Sequence, residues 1–460
     1  MMNKNDIMKH IAFLVGIMVI ALVCASCSSN SYINAIPEGS TALIAMDLTK
    51  LNKEQPNNNS LNMLKKLLQI EDVSNCGIDL ESKLYLFESP DNNLGLCAKV
   101  ADEGDLKKCV EKLIKKGVAK DADTRKGFHF ATINNTWVAG YSNNTFLVMG
   151  PAIGQAQAVL RQQMVKYFDA DEDQGIKGTP LYEKIDSINS PIALVAQASA
   201  LPEKFVTPFT LGAPKEADAS QIIIAAKIKM ENECLVIDGS TFSFNKDVND
   251  VIKKSYLAFR PLQGKYAASM PSTALMGLFV NVDGKSFLPM LQANKGLQAM
   301  LAGINAAIDM DNIIRSVNGE MAVVIPSYNT NLNISMAAQL ANANWLADVG
   351  YWKQSCPKGG RIADWGPNSY YYTDGNTSFY FGVSTDKQFF SGNNPVNAKA
   401  SIDKAENAID RRIQQMMHGK KLCMIVNIGA LSSDNETLKS ITSVLSPVAG
   451  NIKAMVYTIQ

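Results

Sequence analysis

The sequence predicts an α+β protein made of two tandem related domains, each a largely antiparallel sheet flanked by helices. Three observations carry this prediction. A block near the N-terminus recurs beyond the middle of the chain, and the same order of apolar runs and amphipathic stretches follows each copy. Asn-Asn pairs also separate several of the runs where tight hairpins would turn. With 47% hydrophobic residues among 460, the chain can fill complete cores.

The first element is not part of either domain. Residues 1–26 read as a lipoprotein signal peptide: Lys4 and Lys9 make a positive start, and Ile11 to Ala25 form an apolar run. At about 15 residues that run suits a signal segment and falls short of the ~20 that span a bilayer. Ala25 and Ser26 then lead into Cys27, the expected site of lipid attachment, although Cys24 stands where such boxes usually carry Leu or Val. Residues 27–33 form the expected tether. Ser28 rather than Asp follows the cysteine, and Ser29-Asn30-Ser31 has no acidic cluster. The expected location is therefore the outer membrane, with the periplasmic face favoured over the cell surface.

The two domains are expected at 34–262 and 266–460. Ile36-Pro37-Glu38-Gly39-Ser40-Thr41-Ala42-Leu43-Ile44 recurs as Met270-Pro271-Ser272-Thr273-Ala274-Leu275-Met276. Pro56 to Ser60 reads as a turn with Ser60 capping a helix over 60–70, matched by a helix over 286–308. Strands at 83–87 and 94–100 match 321–325 and 333–339. Helix 103–116 follows in the first copy: Leu106, Cys109, Val110, Leu113 and Ile114 share one face, Asp102 or Asp105 can cap it, and Gly117 can end it. Its counterpart places Trp345, Val349 and Trp352 at the positions of Leu106, Val110 and Leu113, so packing is the expected role of both tryptophans. Strands within 127–150 and 369–392, helices at 152–165 and 396–416, and strands at 191–198 and 422–428 complete the match. The first copy continues through strands at 221–230 and 234–244 and a helix at 247–256. The second ends after a strand at 452–459, without a final strand and helix.

Charge and composition exclude several functions. Removing 1–26 takes Lys4, Lys9 and Asp6 from 44 basic and 43 acidic residues, which leaves the two signs in balance and no footprint for nucleic acid. Cys76, Cys97, Cys109, Cys234, Cys356 and Cys423 form no CxxC pair and lie in apolar runs, which favours buried free thiols over a metal site. Past residue 26 the histidines are His129 and His418, too few for a His-rich centre. No P-loop, dinucleotide turn, nucleophile elbow or HExxH helix is present. No cofactor or metal is expected. Asp169 to Asp173 resembles the start of a calcium loop, but Gln174 and Pro180 stand where an EF-hand needs Gly and Glu, so a solvated linker is favoured.

The opening Asn34 to Leu48 after a lipobox, and Asp311 to Val324 with Asn318-Gly319-Glu320 ahead of an apolar strand, resemble the Bacteroidetes lipoproteins grouped as domain of unknown function 4836. The resemblance spans nearly the whole mature chain. It implies a cell-envelope lipoprotein, and it transfers no catalytic or binding residues because the family has no assigned activity. In envelope proteins of that bacterial group, the pattern Asp186-Ser187-Ile188 would mark Ser187 for O-glycosylation.

One segment stands apart. Ser355 to Asn376 is longer than its counterpart at 117–127 and reads as a loop carrying Arg361, Asp364, Trp365 and Tyr370-Tyr371-Tyr372. Arg361, Asp364, Trp365 and Tyr371 are its candidate ligand or partner residues, because guanidinium and aromatic groups on a loop suit recognition. A binding role requires Arg361 and Trp365 to be partly exposed; a packing role requires a buried Trp365. The sequence thus favours a membrane-anchored, non-enzymatic module for an envelope protein or glycan. The alternative is a hydrolase of envelope or dietary polymers using a carboxylate pair in a deep pocket.

Overall fold

The computed structural model describes residues 30–54, 75–201, 209–294, 298, 304–326, 334–375, 377–430 and 452–460. The signal segment, Cys27, the turn at 56–60 and the helix at 60–70 lie outside them. The chain is α+β, with nineteen strands among the described residues. It divides into two compact units, residues 1–53 with 64–187, and residues 54–63 with 188–460. Each is taken by itself.

The first unit holds β1 (Ala42–Met46), β2 (Leu84–Glu88), β3 (Leu94–Lys99), β4 (Ala119–Arg125), β5 (Phe128–Ile133), β6 (Trp137–Tyr141) and β7 (Thr145–Gly150). They pair antiparallel in the order β1-β2-β3-β7-β6-β5-β4. The helix Glu103–Lys115 forms as its sequence requires. Asp102 caps it by accepting the N–H of Asp105; the side chains of Leu106, Val110 and Leu113 are buried, and Gly117 ends it at φ +71°. The turn Asn134-Asn135 adopts positive φ at both residues, as a tight hairpin demands. Strand β4 occupies part of 117–127, the span compared above with a loop. Lys120, Asp121, Asp123 and Arg125 hide it from any apolar alternation, and a bulge interrupts its pairing.

In the second unit are β8 (Ile192–Gln197), β9 (Ile223–Glu231), β10 (Cys234–Phe242), β11 (Met276–Asp283), β12 (Val317–Ile325) and β13 (Ser335–Leu340). After them come β14 (Arg361–Gly366), β15 (Ser369–Thr373), β16 (Ser378–Val383), β17 (Gln388–Gly392), β18 (Leu422–Asn427) and β19 (Ala454–Ile459). The pairing order β11-β12-β13-β17-β16-β15-β14 is again antiparallel. On the other side of β11 the order is β18-β19-β10-β9-β8. The β10–β19 pair is parallel and joins the last strand before residue 246 to the last strand of the chain.

That pairing corrects the picture of two separately closed sheets. Strand β10 covers the backbone edge that β19 would otherwise leave bare. Residues 188–262 accordingly group with the second unit rather than the first. Tyr32 and Ile33, assigned above to the tether, are each only 1% exposed within a 3-10 turn, Ser31–Ala35.

Three helical expectations also change. The stretch 286–308 opens as the helix Gly284–Ala293, while 295–297 and 299–303 lie outside the described residues. The stretch 396–416 is two short helices, Pro395–Ala400 and Arg411–Met416. Trp345 and Trp352 are not on one helix: Trp345 sits in a 3-10 turn, Asn344–Asp348, ahead of the helix Val349–Ser355.

Candidate functional site

Within the segment 355–376, residues 361–373 form a hairpin rather than a loop. Strands β14 and β15 pair from Arg361↔Thr373 to Gly366↔Ser369, and β15 continues the sheet onto β16. Pro357, Gly359, Gly360, Gly366 and Pro367 punctuate the sequence heavily enough to conceal β14, whereas β15 falls within the strand region expected at 369–392. The alternation of a strand then sorts the side chains between two faces.

The inner face is core. Ile362, Tyr372, Phe379 and Phe381 pack with Trp345 and Trp352, all buried. Trp345 and Trp352 stack at 5.9 Å between centroids, so both have the packing role expected of them. Asp364 also belongs to this side. It sits at the rim and takes Lys353 of the helix Val349–Ser355 at 2.7 Å.

The outer face carries the other three candidates. Trp365 and Tyr371 are half-buried and Arg361 is exposed. Tyr371 stacks on Tyr380 at 5.1 Å with an interplanar angle of 18°, and Trp365 meets Tyr380 edge-on at 5.6 Å. The Trp365 indole N–H donates to the Tyr370 carbonyl at 2.8 Å, which fixes the ring in the bulge between Asp364 and Gly366. Arg361 Nη2 donates to the Tyr371 hydroxyl at 2.6 Å. Lys399, exposed on the helix Pro395–Ala400, holds Nζ 5.4 Å from the Trp365 ring centroid.

The structure therefore brings Arg361, Trp365 and Tyr371 together, separates Asp364 from them, and adds Tyr380 and Lys399. The period-2 pattern of Ser378-Phe379-Tyr380-Phe381 places Tyr380 opposite its buried neighbours and could have revealed it. Nothing in the sequence points to Lys399.

Elsewhere the chemistry is structural. A cleft of about 90 Å³ is lined by Ser269, Pro271, Ala322, Ser335, Asn397 and Ser401 among others, with no acidic or histidine side chain. Glu320 is a buried carboxylate at 4% exposure, and it accepts the backbone N–H groups of Gln263, Gly264 (3.0 Å) and Lys265 (2.6 Å). Gly319 precedes it at φ +144°, where an added Cβ would meet Gln339 at 2.7 Å. Asn318 accepts from Arg260 at 2.8 Å. Asn318 and Glu320 thus fasten residues 260–265 to β12.

Burial pushes the Cys423 thiol up to about 12, which suppresses the thiolate a nucleophile needs. No disulfide joins the six described cysteines; Cys76, Cys97, Cys234 and Cys423 are buried and Cys109 and Cys356 half-buried. His129 stacks on Tyr141 at 5.0 Å, and its Nδ1 lies 3.1 Å from the Thr124 hydroxyl. Asp171 accepts the N–H groups of Asp173 and Gln174, and no cluster of three metal-ligating side chains occurs among the described residues. Ser187 is exposed at the end of the helix Pro180–Asp186, its hydroxyl donating to the Lys184 carbonyl at 2.6 Å.

No helix among the described residues is long and apolar enough to cross a membrane. A family model described as "Domain of unknown function (DUF4836)" matches residues 43–437. No curated protein matches. Two solved structures of TP0453 are similar at low level. Crystal form IV is 10% identical over 47% of this chain and 82% of that one, with a TM-score of 0.30. Crystal form III is 8% identical over 82% and 98%, with a TM-score of 0.26. Scores this low establish no common fold.

Proposed function

The chain belongs to the DUF4836 family, and we propose that it is a lipid-anchored envelope module that binds a glycan. In this reading Cys27 carries the lipid, the protein stands on the periplasmic face of the outer membrane of a Bacteroidetes cell, and two related α+β repeats form a rigid scaffold. Its role in this reading is binding rather than catalysis.

The duplication is supported by the matching order of strand pairings after β1 and after β11. Two smaller correspondences support it too. Ile176 N–H donates to the Ile36 carbonyl at 2.9 Å, as Ile409 N–H does to Met270 at 3.0 Å. Tyr32 and Tyr266, each five residues ahead of the proline of its repeat, are both 1% exposed.

The observation that carries the binding role is the outer row Trp365–Tyr380–Tyr371 with exposed Arg361 beside it. Aromatic rings with polar edges offer apolar area and hydrogen bonds together, which suits the two-faced chemistry of a sugar ring. The rings are held by the β14–β16 sheet, so binding requires little ordering.

Immobilised protein exposed to envelope and plant polysaccharides tests the reading. Trp365→Ala combined with Arg361→Ala should abolish retention while moving the melting temperature by only a few degrees. Undiminished retention by the double variant, or capture of a protein and no glycan, would remove the proposal.

A further inference from the structure

We infer that the glycan taken by the β14–β16 face is an acidic one, bearing carboxylates or sulfates. The inference rests on reading this face as a glycan site, but a separate observation carries it. At each end of the aromatic row stands a cation held by a ring rather than by a carboxylate. Arg361 is anchored by the Tyr371 hydroxyl, its Cζ 5.7 Å from that ring's centroid, and Lys399 is anchored against Trp365.

The contrast lies on the same hairpin. Asp364 is directed to the other face, where Lys353 neutralises it at 2.7 Å. The strand thus keeps its carboxylate beside the core and presents its guanidinium on the open side. Strand alternation alone imposes this, since Asp364 lies three positions after Arg361, an odd offset.

The remaining donors define the ligand. Arg361 spends one N–H on Tyr371, and a guanidinium has five, so a planar edge stays available for two-point contact with a carboxylate or sulfate. Lys399 adds a point charge with three donors. A neutral sugar could lie on the rings yet would use neither cation. An acidic repeat engages rings and charges together, and its attraction is screened by salt.

The test uses the full chain in detergent with three immobilised probes: a polyuronate, a sulfated glycosaminoglycan and a neutral glucan. Binding should be confined to the acidic probes and should weaken at least about tenfold between roughly 20 mM and 500 mM NaCl. Arg361→Gln and Lys399→Gln should each weaken it about three- to tenfold, with unchanged circular dichroism. Equal, salt-insensitive binding of the neutral glucan, or no effect of either glutamine variant, overturns the acidic assignment and leaves the glycan reading standing. Retention of none of the three probes overturns the acidic assignment and the glycan reading beneath it.

Discussion

The indole planes of Trp345 and Trp352 lie within 12° of parallel, with Phe381 in contact with both rings at 6.2 and 6.4 Å. This stack backs the same sheet whose opposite face carries Trp365. Two tryptophans seven residues apart can look like a sugar platform in a sequence; here their exposure of only 1% and 5% makes them core packing beneath the β14–β16 strands. Trp345→Ala should cost about 3–5 kcal/mol by denaturant titration, as truncation of a core aromatic does. The Trp345 Nε1 has no hydrogen-bond partner among the described residues. Trp345→Phe should therefore cost much less, roughly 1–2 kcal/mol, because only volume is lost. Equal losses for both variants would mean that the ring N–H matters and the packing account is wrong.

Glu320 offers a second stability test. Its two carboxylate oxygens accept three successive backbone N–H groups of residues 263–265. An amide has one acceptor oxygen, so Glu320→Gln turns an NH2 group toward backbone donors and leaves at least one of them unsatisfied. The expected loss is about 2–3 kcal/mol, read as a lower denaturation midpoint with unchanged slope. Gly319→Ala should be comparably damaging, because both φ and the nearby Gln339 exclude a side chain. A stable Glu320→Gln protein would show that the segment is held by other contacts.

Most of the strands were legible because their apolar periods were clean. The run Phe128–Ile133 and the helix Glu103–Lys115 appear where patterning and capping put them. Two kinds of element escaped. Strands β4 and β14 sit at the ends of their pairing orders, and β4 carries charges in place of alternating apolar residues. For β14 the surrounding glycines and prolines imitate a loop. Long-range pairing escaped as well. The parallel β10–β19 contact sets Cys234 against Ala454, and no local pattern encodes a partner so distant in the chain. The candidate face was half legible: Arg361, Trp365 and Tyr371 were marked by residue type, whereas Asp364 could be assigned to the other side only once 361–366 was known to be a strand.

Alkaline pH should destabilise the protein more than mild acid. Burial raises Cys423 to about 12 and also raises the phenols of Tyr32, Tyr85, Tyr266 and Tyr457. In each case the folded state favours the neutral form. Their contribution is complete below the unfolded values, about 8.5 for Cys and 10 for Tyr, and is lost as pH rises through the folded ones. Asp410 works at the other end. Hydrogen bonds from Arg412 hold it at about 2, so its small, solvent-screened contribution is present above about 4 and fades only in strong acid. The melting temperature should be level between about pH 5 and 8 and fall steadily above about 9. Cys423→Ala should make the alkaline decline shallower. A decline that begins near pH 7 would require a titrating group other than these.

Cys27→Ser should separate anchoring from folding. The turn Ser31–Ala35 is tied into the fold, with Tyr32 buried and its hydroxyl donating to the Lys83 carbonyl at 2.7 Å. The five residues from Cys27 to Tyr32 can reach at most about 18 Å, so a lipid at Cys27 would hold the first unit close to the bilayer. Each acyl methylene buried in that bilayer contributes about 0.8 kcal/mol to retention. The serine variant should thus move from the membrane fraction to the soluble fraction and keep the melting temperature of the anchored protein in detergent. Retention of the variant in the membrane fraction would place the anchor elsewhere. A lowered melting temperature would mean that residues ahead of Ser31 contribute to the fold.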